Sequence, residues 1–490
     1  MSFAKSSLSQ GRRAILTIVV LGLLLWPATA EATRSPRSTS PSATDTSVGA
    51  DATITTNWSD ACETPPAAAV DTLNEAAALW GTWISSTVPI QAEACWTSNI
   101  SIPGAEGTGR PTTYVYNPPG GPLVNTYYPV ALANALGGTD GIPGGPEIIV
   151  QFDANSDLSL ATALHELAHG LGFIGGMAVT AGVGECGLRC PTPYDQSVVD
   201  STGTLLLDYL AVNPITMGRR LTVDDDAHFG GPNTVAANGG VPAKLYTPPS
   251  WGYSSLSHLD RETFQYTQNA LMAPSAAGDH PGPVGLAILQ DMGWLRVDGV
   301  PNVVTSGPQI VGVDQATTFD GELVWSGYAE QSITYTWTAD GQSPVTHTSP
   351  TTRDSATFTW TTPGRRRIIL TATDGAAAAS ATRDALVYAV DVGGPAQAHM
   401  DEAVALTASV TPEIWTHPIT YTWEATDQTR VTHVERYAFD DGATLTWHSA
   451  GAKSVIVTAH IGEATIQSVH TIHIEGSVLD RQIFLPLVLR

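Results

Sequence analysis

Residues Leu158–Phe173 read LSLATALHELAHGLGF. Leu160, Leu164, Leu167 and Leu171 recur at helical spacing, so the stretch is expected to form an amphipathic helix capped at its start by Ser156 or Asp157. On such a helix His165 and His169 stand one turn apart on one face, where both imidazoles can reach a single ion. The leucines already make the buried face, so packing alone gives no reason for a His-Glu-x-x-His pattern opposite them. Glu166, beside the first histidine, can lean over a water at the ion and take its proton, which is the arrangement of a zinc hydrolase site. Gly170 and Gly172 allow the helix to stop and turn.

Two histidines leave a catalytic zinc site one protein ligand short. The compact metzincin pattern would place a third histidine at position 175, which is Gly175 here. The remaining histidines before residue 300 are His228, His258 and His280, and Glu185 and Glu262 are the carboxylate options. His228 closes the run Asp224-Asp-Asp-Ala-His228. Adjacent carboxylates there could hold calcium, and a solvated loop is the simpler reading. His280 lies in the turn-forming GDHPGP, and Glu262 stays close to His258 through its i+4 spacing.

Outward from this helix the texture is mixed. Ala68, Leu73, Ala76, Ala77 and Trp80 recur as on a helix, VPIQAEACW and EIIVQF read as strands, and Gly/Pro-rich loops join them. An α+β domain over residues 56–297 is expected. Cys62 and Cys95 flank the first helix, and Cys186 and Cys190 lie together in ECGLRC. Local pairing, Cys62 with Cys95 and Cys186 with Cys190, is one of three connectivities open to them.

Upstream, Lys5, Arg12 and Arg13 precede an apolar run from Ala14 to Trp26, then Pro27 and Ala28-Thr29-Ala30. That is the pattern of a secretory signal over residues 1–30, and the run is shorter than the roughly 20 apolar residues a span requires. Export makes disulfides the expected state of the cysteines. Residues 31–55, rich in Ser, Thr, Pro and Ala, read as a disordered linker or short pro-segment.

Beyond Pro301 the chain repeats itself. Ile333-Thr-Tyr-Thr-Trp337 returns as Ile419-Thr-Tyr-Thr-Trp423 and Val345-Thr-His347 as Val431-Thr-His433, both at an offset of 86. Phe358-Thr-Trp360 answers Leu445-Thr-Trp447 one residue further on. Two β-sandwiches, over 302–390 and 391–475, are expected, with an apolar tail at 476–490. A shared strand position explains His347 and His433 more simply than a second metal pair. The chain carries 46 acidic and 22 basic residues, a formal charge of −24. Such a surface repels phosphate backbones and anionic lipid heads, which argues against nucleic acid as a partner.

Two resemblances sharpen these expectations. The duplicated units are similar to PKD-type modules, immunoglobulin-like sandwiches appended to secreted enzymes, although the usual Gly-Asp-Gly reads Ala339-Asp-Gly341 and Ala425-Thr-Asp427. The blocks His165–Phe173, Ser257-His258-Leu-Asp260, Asn269-Ala-Leu-Met272-Ala-Pro274 and Ala287–Trp294 resemble the leishmanolysin-type metzincins. In that family the third histidine follows an inserted subdomain and shortly precedes a methionine turn. The resemblance implies His258 as third ligand, Met272 as the turn methionine, Glu166 as general base, and extracellular protein or peptide substrates. A zinc hydrolase of another amide, and a surface adhesin whose zincin domain has lost activity, are the rival readings. The sandwiches would then bind a surface, a polymer or a protein.

Overall fold

The structure, a computed structural model, describes residues 51–325, 332–414, 416–435 and 438–476. The signal segment, most of the expected linker and the tail from residue 477 lie outside the described residues. Among the described residues no helix is long and apolar enough to cross a membrane. The chain is multidomain and rich in strand, with three separate buried apolar clusters.

The first cluster sits around a four-stranded sheet ordered Ile54–Trp58, Ile90–Thr97, Ile148–Asp153, Gly107–Pro111. The first three strands run parallel and the last is antiparallel at the edge. Ile90–Thr97 forms because Ile90, Ala92, Ala94 and Trp96 alternate inward against Gln91, Glu93 and Cys95. Ile54–Trp58 pairs along Ile90–Ala94, so the last two residues of the expected linker belong to the sheet. Helix Ala67–Gly81 buries Ala69, Leu73, Ala76, Ala77 and Trp80. Ala68, expected on that stripe, is exposed, because position 69 is the one lying a turn below Leu73.

Helix Leu160–Gly170 lies under the sheet and presents Leu164 and Leu167 to the core, with Leu171 just past its end. Its cap is Ser159, whose side chain accepts the Thr162 N–H at 3.0 Å. Ser156 and Asp157, expected there, come too early for a helix that starts at Leu160. Two indoles bracket this helix by donating to carbonyls at its sides, Trp80 to Leu164 and Trp294 to Leu171, each at 3.0 Å. Both expected disulfides, Cys62–Cys95 and Cys186–Cys190, are formed.

The duplicated half consists of mainly antiparallel sheets around the other two clusters, with Ile310–Gly312 and Gln397–His399 adding parallel edge pairs. Trp337 and Trp423 occupy equal places. Each indole N–H donates to a carboxylate, Asp354 at 2.8 Å and Asp441 at 2.7 Å, and the same carboxylate accepts from His347 or His433. The repeated histidines therefore serve a repeated strand-to-strand lock. The expected boundary at 390/391 falls inside one strand, Ala378–Gly393. Its first part pairs with Gly364–Thr373 and its last five residues with Ala403–Thr411, so one strand serves both units. The units are also not detached from the first domain, since Val124 is buried in the cluster that holds Tyr388, Trp423 and Trp447.

Candidate metal centre

His165 and His169 project from one face of the Leu160–Gly170 helix, and His258 arrives on a loop 89 residues after His169. The three Nε2 atoms converge, at 3.1 Å for His165 with His258, 3.1 Å for His165 with His169, and 3.3 Å for His169 with His258. All three rings are buried. Each Nδ1–H donates to a backbone carbonyl at 2.7 Å: His165 to Leu271, His169 to Phe173 and His258 to Ser254. Those bonds put the ring proton on Nδ1 and leave every Nε2 as a bare lone pair.

Three lone pairs facing one another at this range repel unless a cation lies among them. A tetrahedral zinc ion with bonds of about 2.0–2.1 Å holds its nitrogens about 3.3–3.4 Å apart, so the donor set and its spacing fit such an ion. Among the described residues this is the one group of metal-ligating side chains close enough to share an ion.

The other candidates are engaged elsewhere. His280 accepts the Gly282 N–H at 2.8 Å and stacks edge-on against Trp83. His228 lies 3.3 Å from Asp226. The acidic run is divided among cations, with Asp224 on Arg219, Asp225 on Lys244 and Asp226 on Arg220, so its carboxylates do not gather around a calcium position. Glu185 accepts from Thr180, and Glu262 lies in the first turn of the short helix Arg261–Phe264, outside the histidine group.

Glu166 is 6% exposed and accepts no hydrogen bond among the described residues. Burial pushes its carboxyl up to about 8. The edge strand Gly107–Pro111 runs directly over it. A Cβ at Gly107 would stand 2.7 Å from Glu166 Cγ, and one at Gly109 only 1.9 Å from its backbone oxygen. Both glycines are thus required by the close approach of strand and helix. Met272 is buried at the end of the turn Ala270–Met272. The Leu271 carbonyl of that turn holds His165, and the Met272 carbonyl accepts the N–H of Leu259, next to His258. The turn therefore ties two of the three histidines together.

Burial drives the imidazoles the other way, His165 down to about 4, His258 down to about 3 and His169 well below its ordinary value, the last two also repelled by their neighbours. Unfolding returns histidine to about 6.5 and glutamate to about 4.3. Between roughly pH 4.5 and 6.5 the unfolded chain binds more protons at these residues, so metal-free stability rises with pH. Between about 6.5 and 8 only the folded state holds the extra proton, on Glu166, and stability falls as pH rises. The stability of the metal-free protein relative to a Glu166→Gln variant, in which the histidine contributions cancel, is expected to decline from about pH 4.5 to 8, and added zinc should remove that decline. Melting curves at several pH values check this; a difference that stays flat over that range contradicts a buried, protonated Glu166.

No family model matches the chain, and no curated protein matches it. Among solved structures, the D0-D1 domain of Intimin is 12% identical over 34% of this chain and 97% of its own, with a TM-score of 0.16. A sulfur carrier protein, SoxY from Chlorobium limicola f thiosulfatophilum, is 11% identical over 18% of this chain and 79% of its own, with a TM-score of 0.15. A marsupial T cell receptor is 8% identical over 36% of this chain and 72% of its own, with a TM-score of 0.16. Likeness at this level bears on neither the histidine cluster nor the domain that holds it.

Proposed function

We propose that the chain is an exported zinc-dependent metalloendopeptidase of the leishmanolysin-type metzincin class, with PKD-type modules behind its catalytic domain. One observation carries the reading. Three buried imidazoles, each with its Nδ1–H committed to a carbonyl, face one another through Nε2 beside an unpartnered buried carboxylate. A zinc ion held by His165, His169 and His258 would supply Lewis acidity toward a substrate carbonyl and would acidify a water.

The remaining work falls to the chain's own groups. Glu166 accepts the proton of the attacking water and returns it to the leaving amine. Its desolvated setting raises its affinity for that proton, and the glycine at 107 leaves its carboxylate room. The carbonyls of Leu271, Phe173 and Ser254 hold the three rings in one orientation, so little reorganisation is needed on binding. Two disulfides support an oxidising, extracellular setting.

Incubation of the full-length protein with a mixed peptide library tests the proposal. Internal cleavage that a zinc chelator abolishes and added zinc restores is the expected result. Cleavage unaffected by chelation would overturn the mechanism. A chain that binds zinc and cleaves nothing would favour the adhesin reading.

A further inference from the structure

The short turn Asp195–Ser197 meets three parts of the molecule at once. The Asp195 carboxylate accepts the N–H groups of Gly176 at 2.8 Å, Met177 at 3.3 Å and Thr192 at 2.8 Å, which fixes the chain leaving the ligand helix. One residue earlier, the Tyr194 hydroxyl donates to the Leu256 carbonyl at 2.8 Å. Leu256 stands two residues before His258, in the left-handed region at φ 67°. The Gly175 N–H donates to Ser257 Oγ at 3.1 Å, so the exit of the ligand helix and the third-ligand loop also hold each other.

One residue later, Gln196 turns away from the metal centre. It is buried, its Nε2 donates to Thr126 Oγ1 at 3.1 Å, and its Oε1 accepts from Arg365 Nη1 at 2.6 Å. Arg365 belongs to the strand Gly364–Thr373 of the first sandwich. Its guanidinium also pairs with Asp384, which is fully buried on the neighbouring strand. The same face is joined elsewhere. Asp384 N–H donates to the Pro122 carbonyl at 3.0 Å, Gln309 to Gly121 at 2.8 Å, and the Asn233 amide both donates to and accepts from the Ser380 backbone at 2.9 Å.

We infer that the first sandwich buttresses the third metal ligand. Arg365, acting through Gln196, holds the Tyr194–Gln196 turn against which the His258 loop rests. The inference rests on the metal reading of His165, His169 and His258. Two of those rings are preorganised by one helix. The third depends on a loop, whose ordering costs conformational entropy and whose looseness therefore lowers affinity for the ion. Arg365 is a positioning residue in this arrangement, and the sandwich has a task beyond tethering.

Metal affinity of the full-length chain tests this, read by cobalt(II) titration and zinc competition, with melting curves of the metal-free forms beside it. Arg365→Met and Gln196→Ala are each expected to raise the Kd about tenfold, the scale seen when partners behind metal ligands are removed. The double variant should be no worse than either single one, because both delete the same contact. Arg353→Met, which removes an exposed pair with Glu322 in the same sandwich, should leave the Kd unchanged. Should Arg365→Met strand the buried Asp384 and unfold the sandwich, Gln196→Ala removes the same bond and leaves that ion pair in place. Folded Gln196→Ala protein that binds cobalt as tightly as the parent overturns the buttress and leaves the metal reading standing. A parent chain that takes up neither metal overturns the metal reading, and the buttress with it.

Discussion

Glu166→Gln is expected to leave the fold and the bound metal intact and to lower peptide turnover by at least about a hundredfold, the contribution of a positioned general base. The substitution keeps the shape of the side chain, which matters because Gly107 runs so close above it. It removes only the capacity to take a proton. Among the described residues Glu166 makes no hydrogen bond whose loss could disturb the site, and its carboxylate is not among the three converging donors. The metal should therefore remain while the chemistry fails. Turnover of a peptide substrate, measured beside metal content, separates the two effects. Undiminished cleavage by a metal-loaded Glu166→Gln protein would remove Glu166 from the mechanism.

The ligand helix was legible because everything needed lies within a few turns of chain. A 3.6-residue period shows which residues face the core, and the i, i+4 spacing of His165 and His169 puts both rings on the other side. The alternation in Ile90–Thr97 was visible for the same local reason. The start of the helix is harder to place because several capping residues, Ser156, Asp157 and Ser159, stand close together. Only the turn geometry selects Ser159.

His258 is the opposite case. Composition offers it beside His228, His280, Glu185 and Glu262, and spacing, context and the resemblance to a family put it first. What brings it to the helix is a loop and a set of backbone carbonyls at Leu271, Phe173 and Ser254, and a carbonyl leaves no trace in residue type. Gly107 and Gly109 leave a trace, a Gly-x-Gly within a strand, which signals close backbone approach. The repeats were plain from Trp337 and Trp423, yet the carboxylates that join them to His347 and His433 emerged only from the strand pairing. The division between the sandwiches is hidden because Asp384–Val392 contains no Gly, Pro or Asn, and the strand simply continues until Gly393-Gly394-Pro395.

The account stands or falls on whether these three histidines, and no others, hold one ion. In that case His258→Ala removes a third of the donor set and leaves two rings on the helix, too few for a stable catalytic site. His280→Ala removes only an edge contact with Trp83 and an acceptor for Gly282 at the surface. Metal content of the two purified variants beside the parent is the most direct measurement. The account predicts one zinc per chain in the parent and in His280→Ala, and close to none in His258→Ala. Zinc retained in folded His258→Ala and lost from His280→Ala would contradict it.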